Sequence, residues 1–338
     1  MRPTRCRMLS RIVTLAVLLG VIAPDSLTSA QQKKKPHEKE HFVFDDVRVF
    51  YVTEGTGAVS PVDVDKNGVP DQVENVAKQV WAAHQLFCKV LKFPDPFESE
   101  RYQGVNCIQV SILDRTEMSN LNGVAFSRAQ RARSIPEGHP TDRAIVMAIA
   151  SQVDPTKNVT PTHETFHLIQ YGTTYFKNSW YLEGMARWAE HGTGKDGLGE
   201  IKYSPRGPWP QIPLHLQQLV KMKSESEHVL WNPIASRTDR DGFLSGKMLG
   251  EKLSTLTYAD GSLVLRDRFL QGGEVMRDIL IELGKLDDVA FQDLKYEKWT
   301  EENARALENN PYIYKATMDA LRKHDSKVGP FEIPKRKD

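Results

Sequence analysis

The chain has 338 residues, with 45 lysines and arginines against 44 aspartates and glutamates, a formal charge of +1. That balance gives no electrostatic reason to bind nucleic acid or an anionic membrane surface. The length suffices for one large domain or for two sub-domains sharing a cleft.

The N-terminus has the three-part layout of a secretory signal peptide. Four arginines fall within residues 1–11, residues 12–23 are an apolar run too short to span a bilayer comfortably, and Thr28-Ser29-Ala30 offers small residues for cleavage. Removing residues 1–30 takes away four arginines and one aspartate, leaving a formal −2. No later segment approaches about eighteen apolar residues, so the mature protein is expected to be secreted or periplasmic, with no membrane attachment. Residues 31–41 are charged and aperiodic and read as a flexible leader.

Residues 42–53 are rich in Val, Phe and Tyr and predict a strand. After an acidic loop, Val76, Val80, Ala83, Phe87 and Val90 recur at helical intervals and predict a helix over 73–91. Residues 106–113 and 143–150 read as strands, separated by a polar stretch with one short apolar piece at 123–126. Thr160-Pro161 offers a hydroxyl N-cap and a proline for the first helical position, and Gly172 offers a stop. A second helix is expected from Ser179 to about His191. Beyond the Gly- and Pro-dense residues 192–213, helical patterning covers 214–223, 246–256, 262–270, 273–283 and 301–323. The expected class is α+β, with an N-terminal α/β sub-domain over 42–159 and a mostly helical one over 160–330. Cys88 and Cys107 remain after processing, and in an oxidising compartment they are expected to form a disulfide.

The most specific chemical signal is His163-Glu164-Thr165-Phe166-His167, an HExxH motif, with Glu183 sixteen residues further on. Residues four apart on a helix leave the same face, so two imidazoles converge there as zinc donors. A third ligand leaves one tetrahedral position open. Glu164 lies beside that face as a general base for an activated water. Glu183 is the expected third ligand, with His191 as its rival. Arg187 and Glu190 share the Glu183 face at i+4 and i+7, where they either hydrogen-bond the ligands from behind or form a surface ion-pair face. No third histidine follows His167 closely, as a metzincin would require.

The stretch from Thr162 to Glu190 resembles the gluzincin clan of metallopeptidases. More narrowly, HETFHLIQYG with WYLEGMARW looks like a group of secreted, largely uncharacterised bacterial gluzincin-like proteins. The resemblance covers under a tenth of the chain, with the strand–loop–helix order before residue 91 also fitting. It implies a zincin-like fold, His163, His167 and Glu183 as Zn²⁺ ligands, Glu164 as base, and a peptide or protein as substrate. Relatives often use a downstream Tyr or His as oxyanion donor. Tyr258, in Tyr-Ala-Asp-Gly-Ser, is favoured over His228 and Tyr203. The resemblance also implies substrate strand addition at 123–126. An aminopeptidase would need an upstream acid for the substrate amine, and residues 144–149 offer none, which favours an endopeptidase. The alternatives are a zinc hydrolase of another amide or ester, and a non-catalytic exported zinc- and calcium-binding protein.

A second metal signal precedes the first helix. Residues 63–74 fit D-x-D-x-N-G-x₅-E throughout. Asp63, Asp65, Asn67, Asp71 and Glu74 supply side-chain oxygens, Val69 a carbonyl, and Gly68 the sharp turn. Hard oxygen donors favour Ca²⁺ over zinc. Strand-like sequence before the loop makes this an EF-hand-like loop and not a paired EF-hand.

Overall fold

Asp45 takes a left-handed backbone (φ 58°), and with Asp46 it turns the chain inside what reads as a single strand. Short polar side chains tolerate that conformation best after glycine. The result is an antiparallel hairpin of β1 (Glu40–Phe44) and β2 (Val47–Tyr51). The computed structural model describes residues 40–139, 141–194 and 213–333. The expected signal peptide and residues 31–39 lie outside the described residues, and Glu40 and His41 belong to β1 and not to a leader.

α1 (Asp71–His84) continues as a π-helical segment, Gln85–Val90, closed by the Leu91 N–H on the Leu86 carbonyl at 2.9 Å. β3 (Val105–Leu113), β4 (Gly123–Ala125), β5 (Gln130–Arg131) and β6 (Arg143–Ala150) complete a six-stranded mixed sheet of order β1-β2-β3-β6-β4. β2, β3 and β6 run parallel, while β4 and β5 pair antiparallel with β6. β4 therefore ends the sheet at one edge.

α2 (Thr160–Thr173) and α3 (Ser179–Glu190) follow. The α2 N-terminus differs from expectation. Thr160 lies inside the helix with Pro161, and Asn158 Oδ1 accepts the Thr160 N–H at 2.8 Å. Nor does Gly172 end the helix, which runs one residue further. Phe87, Phe93, Phe166 and Trp188 form one aromatic cluster. Phe166 lies 5.0 Å from Phe87 and 5.9 Å from Trp188 between ring centroids. Edge-to-face rings at such separations hold their helices in a fixed relation, here α1, α2 and α3.

The remaining helices are α4 (Pro213–Leu219), α5 (Asn232–Thr238), α6 (Gly246–Ser254), α7 (Gly273–Asp293), α8 (Glu301–Arg305) and α9 (Asn310–His324). A π-helical turn, Glu227–Trp231, leads into α5. Residues 262–270 are not helical. Leu263 and Phe269 instead make isolated bridges to Thr257 and Phe243, and Val264, Leu265 and Leu270 enter the core from irregular chain. Their spacing mimics a helix face, but Arg268 at φ 46° interrupts any helix there.

The mixed sheet and the following helices make the class α+β. One core cluster runs from Val47 in β2 to Leu321 in α9, so the strand-rich and helical halves share an interior. Cys88 and Cys107 do not form the expected disulfide; both are free. Cys88 packs in the main core, whereas Cys107 joins Ala144 and Val146 in a separate small cluster. Adjacent strand residues face opposite sides of a sheet, so Ile108 joins the main core and Cys107 points away from it. Among the described residues, no helix is long and apolar enough to cross a membrane.

Candidate metal centre

His163 and His167 leave the same face of α2, their rings 4.5 Å apart between centroids. Glu183, on the first turns of α3, meets them. Its Oε2 lies 3.4 Å from His163 Nε2 and 3.8 Å from His167 Nε2. With metal–ligand bonds of about 2.0 Å, two donors on a tetrahedral zinc stand about 3.3 Å apart. The three side chains therefore fit one zinc ion with little adjustment, and their donor set of two imidazoles and a carboxylate suits it.

Local packing explains why α3 comes so close. A Cβ on Gly184, the residue after Glu183, would stand 1.8 Å from Ser226 Oγ and 2.6 Å from Trp231 Nε1. Only glycine lets the π-helical turn at Glu227–Trp231 press against the back of α3. Ser226 Oγ and Trp231 Nε1 both donate to the Trp180 carbonyl, which fixes that contact. Trp180 and Trp188, which bracket Glu183, are buried packing residues.

Each histidine is oriented through its other nitrogen. His163 Nδ1 lies 2.8 Å from Glu190 Oε1, and Arg187 donates to Glu190 Oε2 at 2.5 Å. His167 Nδ1 lies 2.8 Å from Gln170 Oε1, while Gln170 Nε2 donates to the Leu182 carbonyl at 3.2 Å. Such partners fix the tautomer that leaves Nε2 free to ligate. Of the two readings for Arg187 and Glu190, the geometry favours the one behind the ligands, and Gln170 is a participant that sequence reasoning missed. The rival ligand His191 points elsewhere, its Nε2 2.8 Å from Glu227 Oε1.

Burial alone would lower the His163 pKa, yet the hydrogen bonds its ring donates to the Glu183 and Glu190 carboxylates raise it to about 10. Burial would raise Glu183, but the two imidazoles hold it well below the usual carboxylate range. Glu164 is buried, and loss of solvent pushes its carboxyl above the ordinary value. A Cβ on Gly123 would stand 2.8 Å from Glu164 Oε1, so β4 passes directly over this carboxylate, and the Ala125 N–H points to it.

These groups line a cleft of about 630 Å³, bounded by β4, α2 and α3, with Phe126, Tyr171, Lys177 and Arg305 around them. Tyr258 is not among its lining residues. Its hydroxyl accepts from Gln79 Nε2 at 2.7 Å in the interior, and Gln79 Oε1 in turn accepts the Thr162 N–H at 3.3 Å. Tyr258 supports the start of α2 from behind. His228 is half exposed and likewise outside the cleft, and Tyr203 lies outside the described residues. Tyr171, one turn beyond His167 and stacked on it at 5.8 Å, is the cleft's own phenol.

In the acidic loop, Asp63, Asp65 and Asp71 bring one oxygen each within 4.8 Å of the others. Asp63 accepts the Asn67 and Gly68 N–H groups at 3.2 and 2.9 Å, and Asp71 accepts the Val64 N–H at 3.0 Å. Glu74 is drawn in by Asn67 Nδ2 at 2.7 Å. Gly68 takes φ 88°, where a side chain would be strained. α1 starts at Asp71, two residues before the expected start at 73, so Asp71 and Glu74 already lie in the first turn of the helix that leaves the loop.

Compared with protein-family models, with curated proteins and with solved structures, the chain has no match.

Proposed function

We propose that the protein is an exported zinc-dependent endopeptidase of zincin-like architecture. The observation that carries this reading is the convergence of His163, His167 and Glu183 at tetrahedral spacing, with Glu164 beside them under the edge strand β4. A divalent zinc ion held there supplies Lewis acidity, polarising a substrate carbonyl and making water acidic enough to lose a proton near neutrality.

The chain's own residues do the rest. Glu164 takes the proton of the attacking water and returns it to the departing amine. Its burial, which raises its proton affinity, suits it to both tasks. β4 ends the sheet at the cleft, so an extended peptide adds to it as a further strand and lies across Glu164. Tyr171, the one tyrosine among the described residues that line the cleft, replaces Tyr258 as the candidate donor to the developing oxyanion.

The endopeptidase form is favoured by how the cleft's acids are used. Glu183 faces the two histidines, and Glu190 holds His163 and Arg187. Glu301 is paired with Lys177 and Arg305. Among the described cleft residues, no carboxylate is left to hold a substrate's free amine. The acidic loop we assign to calcium, as a clip on the turn into α1, because its donors are all hard oxygens.

The test is digestion of a mixed peptide library with and without a zinc chelator, with fragment masses recorded. Chelator-sensitive internal cuts support the reading. Single residues released from N-termini would replace it with an aminopeptidase, and ester-only turnover with another zinc hydrolase.

A further inference from the structure

Away from the cleft, the described residues bring metal-binding groups of mixed chemistry together at one buried place. An imidazole nitrogen of His84, the Cys88 sulfur and an Asp95 oxygen lie within 4.8 Å of one another, and all three residues are buried. His84 ends α1, and Cys88 follows it by four residues inside the π-helical segment Gln85–Val90. Such segments are rare and concentrate at functional sites, where the widened turn re-aims the side chains that follow. Asp95 arrives from beyond that segment as the cap of a short 3₁₀ helix, Pro96–Glu98.

We propose that His84, Cys88 and Asp95 form a second transition-metal site, a buried one that takes zinc. His84 Nε2 and Asp95 Oδ1 are 3.1 Å apart, near the about 3.3 Å expected between two donors on tetrahedral zinc. A thiolate beside an imidazole selects a borderline-soft ion over calcium or magnesium. The Asp95 carboxylate is already fixed. Its Oδ1 accepts the Phe97 N–H at 2.9 Å, and its Oδ2 pairs with Lys89. The Pro94 carbonyl borders the sulfur at 3.9 Å.

The second observation lies on the far side of the imidazole. His84 Nδ1 pairs with Asp46 Oδ2 at 3.3 Å in an alignment too poor for a good hydrogen bond, and Asp46 Oδ1 is buried without a partner. A buried polar group left so is costly. A carboxylate behind a ligating imidazole is the usual device for fixing its tautomer, and a small turn of the ring onto an ion at Nε2 would direct Nδ1–H at Asp46.

A thiol ligates as its thiolate, so binding the ion at this place releases the Cys88 proton. It also gives Cys88, which has no disulfide partner, a role in an oxidising compartment.

The test separates this site from the cleft. A His163→Ala/His167→Ala variant of the mature protein removes the cleft's histidines. Elemental analysis should still find about one zinc per chain, and adding Cys88→Ser should remove it. In parallel, wild-type protein produced with Co²⁺ in place of zinc should show thiolate-to-cobalt charge-transfer absorption, absent in Cys88→Ser. The cleft contains no thiolate and cannot give that band, so this arm decides even if the double variant fails to fold. Cobalt-loaded wild type without the band, or a folded double variant free of zinc, would overturn the proposal.

Discussion

Glu190 Oε1 sits 2.8 Å from His163 Nδ1, so a side chain seven residues beyond Glu183 on the same helix sets the orientation of a histidine on another. Removing it leaves the ring free to rotate and its tautomer unspecified. Glu190→Ala should therefore weaken zinc binding by roughly 10–100-fold with the fold intact. Competition against a chromophoric chelator measures this. Unchanged affinity would place Glu190 outside the metal site's support.

Tyr258 is a structural tyrosine in this account. Tyr258→Phe deletes the hydroxyl that accepts from Gln79. Gln79 Nε2 keeps the Pro155 and Asn158 carbonyls as acceptors. The expected cost is about 1 kcal/mol of stability in denaturant unfolding, with kcat unchanged. A large fall in kcat at unchanged stability would restore Tyr258 to the chemistry.

Asp287 gives a pH dependence of stability. Burial lifts its carboxyl to about 6, against the Tyr175 N–H at 2.6 Å and the nearby Arg101, which pull the other way. The folded value lies above the ordinary 3.8. Its favourable contribution is therefore complete below that ordinary value and is lost as pH rises through about 6. Asp287→Asn should raise Tm relative to wild type more at about pH 7.5 than at about pH 4. An equal difference at both would contradict the assignment.

The calcium loop predicts a conditional effect. Asp65→Ala should lower Tm in calcium-containing buffer and leave it unchanged in chelator, because ion binding adds stability only where the site is intact. Equal melting of the wild type with and without calcium would remove the ion from the account.

The convergence of His163, His167 and Glu183 was legible because an i, i+4 pair states its own geometry, and Glu183 followed on a helix with clear start and stop signals. Glu190 was legible as a face, though not as the partner of one particular nitrogen. Gln170 was not legible, since its role depends on the Leu182 carbonyl turning its amide toward His167. The hairpin at Asp45 was missed because both strands share one Val/Phe-rich composition, and the turn rests on two aspartates without glycine. The disulfide expectation failed on a point sequence spacing does not carry, namely which face of β3 Cys107 takes. Residues 262–270 show the same limit, where apolar positions spaced like a helix face are buried by irregular chain.

Glu164→Gln removes the proposed base while leaving the three donor side chains in place. Both proteins are loaded with zinc and assayed for peptide-library hydrolysis, with metal content determined on the same samples. The expected result is equal zinc occupancy, chelator-sensitive internal cleavage by the wild type, and a loss of roughly 10²–10⁴-fold in rate for the variant. Zinc-loaded wild type that cleaves nothing the variant leaves intact would contradict it.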